Sequence, residues 1–410
     1  MVRVPRPLTV TRFQSLDALR GFAVMGILLM NIIAFAMPDA AYISPAAYGG
    51  TSAADVAVWM LAFVLVDSKM RALFSILFGA SMLLVYERAE ATGEDGATVH
   101  FRRMVWLLLF GLIHFYFVWS GDILTLYSLC GLIGIILLGI APHNIKRTAI
   151  ILFAISFCIM GLTIGGMWAM RLPAGATAAY ASMIEDIVPS SAAAIADAVA
   201  LHQSSYAAIT YDKLSNEWMA PLEALVSGGF ETLGLMVIGM ILLRNGFLTG
   251  EWDDAAYAKV MRRAYAFGIP PLIGLALWGW GSGFDPLVMV GNLVLFSIPF
   301  SFVVAIGHAA LVLRIIKAFS ATGVIDRVGA AGRMAFSNYV GTSLLMTTLF
   351  YGYGCGWYGE LSRARSYIIV PIMWALILLW SKPWLDRYHY GPLEWLWRSA
   401  ARGQWEVMRK

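Results

Sequence analysis

The chain reads as an all-α, polytopic integral membrane protein, with about ten transmembrane helices and one further interfacial or re-entrant helix on the outer face. Three observations predict this class. Residues of the set AVILMFWYC fill 60% of the 410 positions, charged residues only 13%, and mean hydropathy is +0.73, a balance that water does not solvate. The apolar residues fall in runs of roughly the 20 positions needed to cross a hydrocarbon core. These runs are continuous rather than alternating, so each satisfies its own backbone N–H and C=O groups as a helix does, unlike a barrel strand.

Taken in order, the spans lie near 19–37, 70–87, 104–120, 123–141, 148–170, 226–243, 263–281, 286–312, 334–352 and 367–383. The first follows Arg3, Arg6, Arg12 and Arg20 and lacks a small-residue cleavage site, so it is expected as a retained span with its start in the cytoplasm. Arg88, Arg102 and Arg103, then Lys146 and Arg147, then Arg244, Lys259, Arg262 and Arg263, then Arg314, Lys317, Arg327 and Arg333 all fall on that same side. Ten crossings return the basic C-terminus there as well. The connections Pro38 to Gly50, Ser120–Gly121 and Gly281 to Asp285 carry no Lys or Arg, whereas Arg363 and Arg365 depart from the pattern. The whole chain, 1–410, is therefore expected as one transmembrane domain.

Two stretches stand apart. Ala53 to Val66 is short for a crossing and runs into Asp67, Lys69 and Arg71; a crossing there would reverse every later loop, so it is expected on the outer face. The longest polar interruption, 171–225, is expected as a periplasmic insert with helical stretches such as SSAAAIADAVALHQ, acting as a lid or as a spacer.

The net charge of +4 and pI near 8.9 come from Lys and Arg clustered between apolar runs, a loop signature that does not point to nucleic acid. Cys130, Cys158 and Cys355 lack metal-ligand spacing, and no haem or flavin signature occurs, so no permanently bound cofactor is expected.

Ionisable and amide side chains within apolar spans carry the functional signal, because lipid excludes them unless a protein-lined cavity receives them. Asp17 and Arg20 are three apart on one helical face, with Asn31 about three turns deeper. Such an Arg holds phosphate or carboxylate, and interfacial anchoring serves the spacing equally well. Asp67, Lys69 and Arg71 gather where the charge bias disfavours cations, suiting an anionic head group or plain snorkelling. In GLIHFYFVWSGDIL, His114 lies inside an apolar run and Asp122 opens the next, so a tight turn brings them near one another. A His oriented by a carboxylate is a general base; a lone buried His is also a common structural element. Arg333, Asn338 and Tyr339 open the ninth span, where they line a cavity mouth or join helices. The glycine-dense run Gly352 to Gly359 lacks a phosphate-loop context, and Trp395, Trp397 and Arg398 suit an interfacial belt.

The segments SLDALRGFAVMGILLMN, SKMRALFSILFGAS, GLIHFYFVWSGDILTLYSLCG, LGLMVIGMILLRNGFL, GRMAFSNYVGTSLL and YGPLEWLWR together resemble the YeiB-like (DUF418) family of bacterial membrane proteins. The resemblance covers nearly the whole chain outside the insert and implies the bacterial inner (cytoplasmic) membrane, while the Lys and Arg bias places both termini in the cytoplasm. It further implies a distant kinship to membrane acyltransferases, the acyltransferase-3 and heparan glucosaminide N-acetyltransferase group. Their shared Arg-Gly opening is matched by Arg20 and Gly21. Their catalytic histidines are not matched: the acyltransferase-3 position is Asn31 here, and Pro38 to Asp55 contains no His. His114 is the intramembrane histidine available to take that role.

The expected function is accordingly transfer of an acyl group from a cytoplasmic acyl-CoA co-substrate to a saccharide or other envelope acceptor. His114 serves as base and Asp122 orients it; Arg20 with Asn338 holds the donor, Lys69 and Arg71 meet an anionic acceptor, and Asp17, Asn31 and Tyr339 are further substrate- or cofactor-binding candidates. The alternative is a small-molecule transporter or exporter in which His114 and Asp122 relay protons, and a third reading is a lipid-binding scaffold. Membrane lipid is a partner in each.

Overall fold

In the computed structural model, residues 13–171, 178–319 and 322–410 are described; Arg3, Arg6 and Arg12 lie outside them. Among the described residues the chain is all-helical, with a single isolated bridge between Tyr388 and Arg409. In chain order the helices are α1 (Gln14–Ala36), α2 (Asp39–Ile43), α3 (Ala53–Leu65), α4 (Lys69–Ala91), α5 (Gly96–Phe117), α6 (Leu124–Ile133) and α7 (Ile135–Leu138). Next come α8 (Ile145–Arg171), α9 (Ala178–Ile187), α10 (Ala192–His202), α11 (Tyr206–Asn216), α12 (Ala220–Arg244) and α13 (Asp254–Gly281). The chain closes with α14 (Pro286–Gly291), α15 (Ile298–Ala318), α16 (Gly323–Arg333), α17 (Ala335–Phe350), α18 (Arg363–Ser366), α19 (Ile369–Arg387) and α20 (Pro392–Arg402).

Six helical stretches among the described residues are long and apolar enough to cross a membrane: α1, α5, α8, α12, α15 and the 363–387 stretch. That is fewer than the ten runs read from the sequence. The 70–87 and 263–281 runs lie in the continuous helices α4 and α13, which are not among the six, and three other runs differ from the reading for local reasons. The 123–141 run breaks at Gly134 into α6, only 10 residues, and the 4-residue α7. The 286–312 run is interrupted by a π-turn, Asn292–Phe296, and restarts at α15, where Pro299 in the first turn lacks an N–H that the preceding ladder would need. Arg333 closes α16 instead of opening the 334–352 run, because the backbone bends at Met334.

Several helices are started by side chains that accept the orphan N–H groups of the first turn. Asp95 caps α5 through Ala97 and Thr98, Asp253 caps α13 through Ala256, and Ser52 caps α3 through Asp55. The short α3 is held by Trp59 and Phe63, buried against Leu272 and Ala276 of α13. Packing then sorts the long helices: in its most apolar window α1 is 78% buried and α8 only 11%, so α1 is the central post and α8 a peripheral helix with an apolar outer surface suited to lipid.

Glycines set the tightest crossings. A Cβ on Gly79 of α4 would lie 2.1 Å from the Met236 carbonyl oxygen of α12, and one on Gly239 would lie 1.9 Å from that of Ile76. Gly21 of α1 and Gly332 of α16 face each other the same way, 2.0 Å from Val328 O and 1.8 Å from Asp17 O. The second crossing positions the site described next.

Candidate functional site

Arg20 precedes Gly21, and Arg333 follows Gly332, so the α1–α16 contact brings two guanidinium-bearing residues to one opening. That opening is a two-lobed cleft. The deeper lobe encloses about 380 Å³ and the shallower about 330 Å³; Arg20, Leu84, Arg88, Arg333 and Tyr390 line both. Arg103 of α5 and Arg398 of α20 complete a set of five arginines, against which the lining offers only two carboxylates, Asp17 and Glu394. Arg398 is paired with Glu406 at 3.3 Å, and the positive charge that remains on the lining favours an anion. Arg20 is oriented by Ser81 Oγ, 2.8 Å from Nη2, and by Asp17, 3.4 Å from Nη1. Arg103 stacks on Trp397 with 4.2 Å from guanidinium carbon to ring centroid, and the Trp397 indole donates to the Arg103 carbonyl at 2.8 Å.

Glu394 is a buried wall of this cleft. Its carboxylate accepts from the backbone N–H of Phe336 at 2.7 Å, from that of Ser337 at 3.1 Å and from the Ser337 hydroxyl, so it caps the N-terminus of α17 and ties α20 to the bundle. Burial pushes its carboxyl above the usual range, partly offset by those hydrogen bonds.

His114 lines neither lobe and lies behind Tyr339. Tyr339 lines the deep lobe, and its ring centroid lies 5.2 Å from that of His114. His114 Nδ1 is 2.8 Å from Asp122 Oδ1, and Asp122 Oδ2 accepts from Thr125 N at 2.6 Å, which starts α6. Both side chains are buried, 2% and 0% exposed. The Tyr339 hydroxyl accepts from Ile123 N at 3.2 Å and so braces the turn that carries Asp122. His114 Nε2 is buried without a hydrogen-bond partner. With the carboxylate on Nδ1, the tautomer that fits carries its proton there and leaves Nε2 as the free lone pair. On the far side of Tyr339, Asn31 lines a cavity of about 10 Å³ together with Thr342 and Ser343, room for about one water-sized group.

The other residues singled out by sequence lie elsewhere. Lys69 is 1% exposed and donates to the Phe63 carbonyl at 2.5 Å, closing the α3–α4 corner where Ser68 adopts φ +65°. Arg71 pairs with Glu231 of α12 at 3.0 and 3.2 Å. Asn338 donates to Ala331 O and Ser381 Oγ and accepts from the Trp380 indole, fastening α17 to α19. None of the three lines the cleft. The sequence did not assemble Arg88, Arg103, Arg398 and Glu394 with Arg20; the available signal was only that Arg88 and Arg103 flank apolar runs.

The insert seats on the opposite end of α5. Tyr206 OH donates to Phe117 O at 2.9 Å, Lys213 Nζ to Val118 O at 3.3 Å, and Tyr116 OH to Trp218 O at 2.8 Å. Arg103 and Phe117 are 14 residues apart on one helix, about 21 Å of rise, so cleft and insert contact the two ends of the helix that carries His114. Burial pulls the Lys213 ammonium down to about 8, with Glu217 and Asp212 opposing.

Residues 242–404 match a family model described as protein of unknown function (DUF418). The chain is 30% identical over 417 residues to the uncharacterized protein YxaH of Bacillus subtilis (strain 168), covering 98% of this chain and 97% of that one. It is 30% identical over 399 residues to the uncharacterized protein YeiB of Escherichia coli (strain K12), covering 94% and 95%. It is 24% identical over 387 residues to the uncharacterized 39.9 kDa protein in the amylase 3′ region of Bacillus acidopullulyticus, covering 94% and 93%. No solved structure matches the chain.

Proposed function

The chain belongs to the YeiB-like DUF418 family, and from that premise we propose that it is a membrane acyltransferase using an acyl-CoA donor and an envelope acceptor such as a saccharide. The observation that carries this reading is His114 Nε2, a buried, unpartnered acceptor whose other nitrogen is held by Asp122. Buried polar atoms are nearly always paired, and an exception set on a carboxylate-oriented imidazole is the arrangement expected of a base awaiting substrate. The arginine cleft supports the donor side: phosphates of the coenzyme meet Arg20 and its neighbours, while the thioester extends toward Tyr339.

In the proposed step, Nε2 takes the proton of the acceptor hydroxyl or amine as its heteroatom attacks the thioester carbonyl. Asp122 stabilises the transient imidazolium; the carbon–sulfur bond then breaks, the imidazolium passes its proton to the departing thiolate, and coenzyme A leaves as the thiol with the imidazole restored. Lys69 and Arg71 already have partners within the protein, so recognition of the acceptor is assigned to the insert end of α5. The topology belonging to this reading is ten crossings of a bacterial inner membrane with both termini in the cytoplasm, supported by the Lys and Arg bias of the loops.

The test is release of coenzyme A thiol and label transfer from radiolabelled acyl-CoA in native membranes expressing the protein. Wild type should transfer label; His114→Ala should abolish transfer while purified protein retains donor affinity. Failure of acetyl-CoA, longer acyl-CoAs and free CoA all to bind purified wild type overturns the proposal. A His114-dependent solute flux without label transfer would replace it with the transporter reading.

A further inference from the structure

The deep lobe of the cleft is larger and more apolar than a two-carbon acyl group requires. Its volume of about 380 Å³ falls in the size range of pockets that enclose whole small molecules, ~300–1,000 Å³. Phe74, Leu77, Phe78, Leu107, Leu124 and Phe336 give its wall a large apolar part. Arg20, Arg88 and Arg333 stand where the two lobes meet, and the shallow lobe beyond them carries Asp17, His389 and Tyr390. Arg103, Arg398 and Glu394 line the deep lobe as well, so guanidinium groups stand both at the junction and beside this hydrocarbon surface. That arrangement matches a phosphate-bearing head with an aliphatic chain, since the head meets the positive charge of the arginines and the chain removes the aromatic and leucine surface from water.

We propose that the deep lobe receives an aliphatic chain several carbons long, so that the ligand of the cleft is a phosphate-bearing amphiphile and, resting on the acyl-donor reading above, the donor is a medium- or long-chain acyl thioester. Head and chain act separately: the arginines fix the head irrespective of the chain, and the lobe adds affinity with each methylene, about fourfold per CH₂ when fully buried. A lipid phosphate carries the same two elements, so the experiment includes one.

The experiment is equilibrium binding to the full chain in nanodiscs of zwitterionic lipid, using CoA, acetyl-CoA, octanoyl-CoA and dilauroyl phosphatidic acid as probes. Octanoyl-CoA is expected to bind at least about 100-fold more tightly than acetyl-CoA. Leu107→Trp, which fills the lobe, should erase that ratio, and Arg103→Gln should weaken all CoA species while preserving it; the ratio in wild type stands even where a variant does not fold. Equal affinity for acetyl- and octanoyl-CoA overturns this inference and leaves the acyltransferase proposal intact. Binding of phosphatidic acid but of no CoA species keeps the amphiphile and overturns the CoA donor. Binding of none of the four overturns both.

Discussion

His114 and Asp122 are joined by a 2.8 Å contact between Nδ1 and Oδ1 across the turn between α5 and α6. The carboxylate holds the imidazole in one tautomer, and its other oxygen starts α6 through Thr125 N at 2.6 Å. Asp122→Asn would present an amide that can donate to Nδ1, driving the proton to Nε2 and removing the free lone pair. Acyl transfer in the variant is expected to fall by about 10²–10⁴-fold with donor affinity within a factor of about two. Single-turnover label transfer alongside equilibrium binding measures this; a variant as active as wild type would make the pair a purely structural clamp.

Contact between α1 and α16 leaves no room for a side chain at Gly21 or Gly332, where added Cβ atoms would sit 2.0 and 1.8 Å from backbone oxygens. Gly332→Val should force the helices apart, displace Arg20 and Arg333 together, and lower both melting temperature and CoA affinity. Gly329→Ala on the same helix, where a Cβ meets nothing within 4 Å, should leave both near wild type. Thermal melts and binding on the two purified variants separate the effects.

Glu394 caps α17 with three accepted hydrogen bonds. Its replacement by Ala strands two backbone N–H groups and a hydroxyl in a buried place and is expected to destabilise the protein by about 1–3 kcal/mol. Glu394→Gln keeps one acceptor oxygen and should lie between the two in a denaturation series of the detergent-solubilised protein.

Arg71 and Glu231 tie α4 to α12 from within the bundle, with side chains 23% and 13% exposed. Removing either alone leaves a charge without its counterpart, so Arg71→Met and Glu231→Leu should each destabilise more than the double variant. A double-mutant cycle of melting free energies checks this, with a coupling of about 1 kcal/mol or more expected. Additive single effects would show that the pair contributes nothing beyond packing.

Lys213 is 4% exposed, and its ammonium is depressed by burial to about 8, below its ordinary value of 10.5. Between those two pH values the unfolded chain binds more protons at this position than the folded one, so stability rises as pH increases from 8 toward 10.5. Melting temperature should therefore climb with pH more steeply in wild type than in Lys213→Met, in melts compared at pH 7.5 and 9.5. Parallel profiles would show that the docked insert does not feel this charge.

The membrane class follows from composition and from the length of the apolar runs, because helix formation in lipid is a local requirement that each segment meets by itself. Nearness of His114 and Asp122 was also legible, since eight residues and one Ser-Gly turn leave the chain little choice. Tertiary structure alone decided the rest. Lys69, Arg71 and Asn338 carry the residue types of a binding site, yet their partners are Phe63 O, Glu231, Ala331, Ser381 and Trp380, several of them far away in sequence. The cleft likewise unites Arg20, Arg88, Arg103, Arg333 and Arg398 from five different helices. Periodicity reveals that a helix has a polar position, but which way that position faces depends on helix rotation and on how closely neighbours approach. Here glycine contacts such as Gly21 with Val328 and Gly332 with Asp17 set both, through backbone shape and not through any charge pattern.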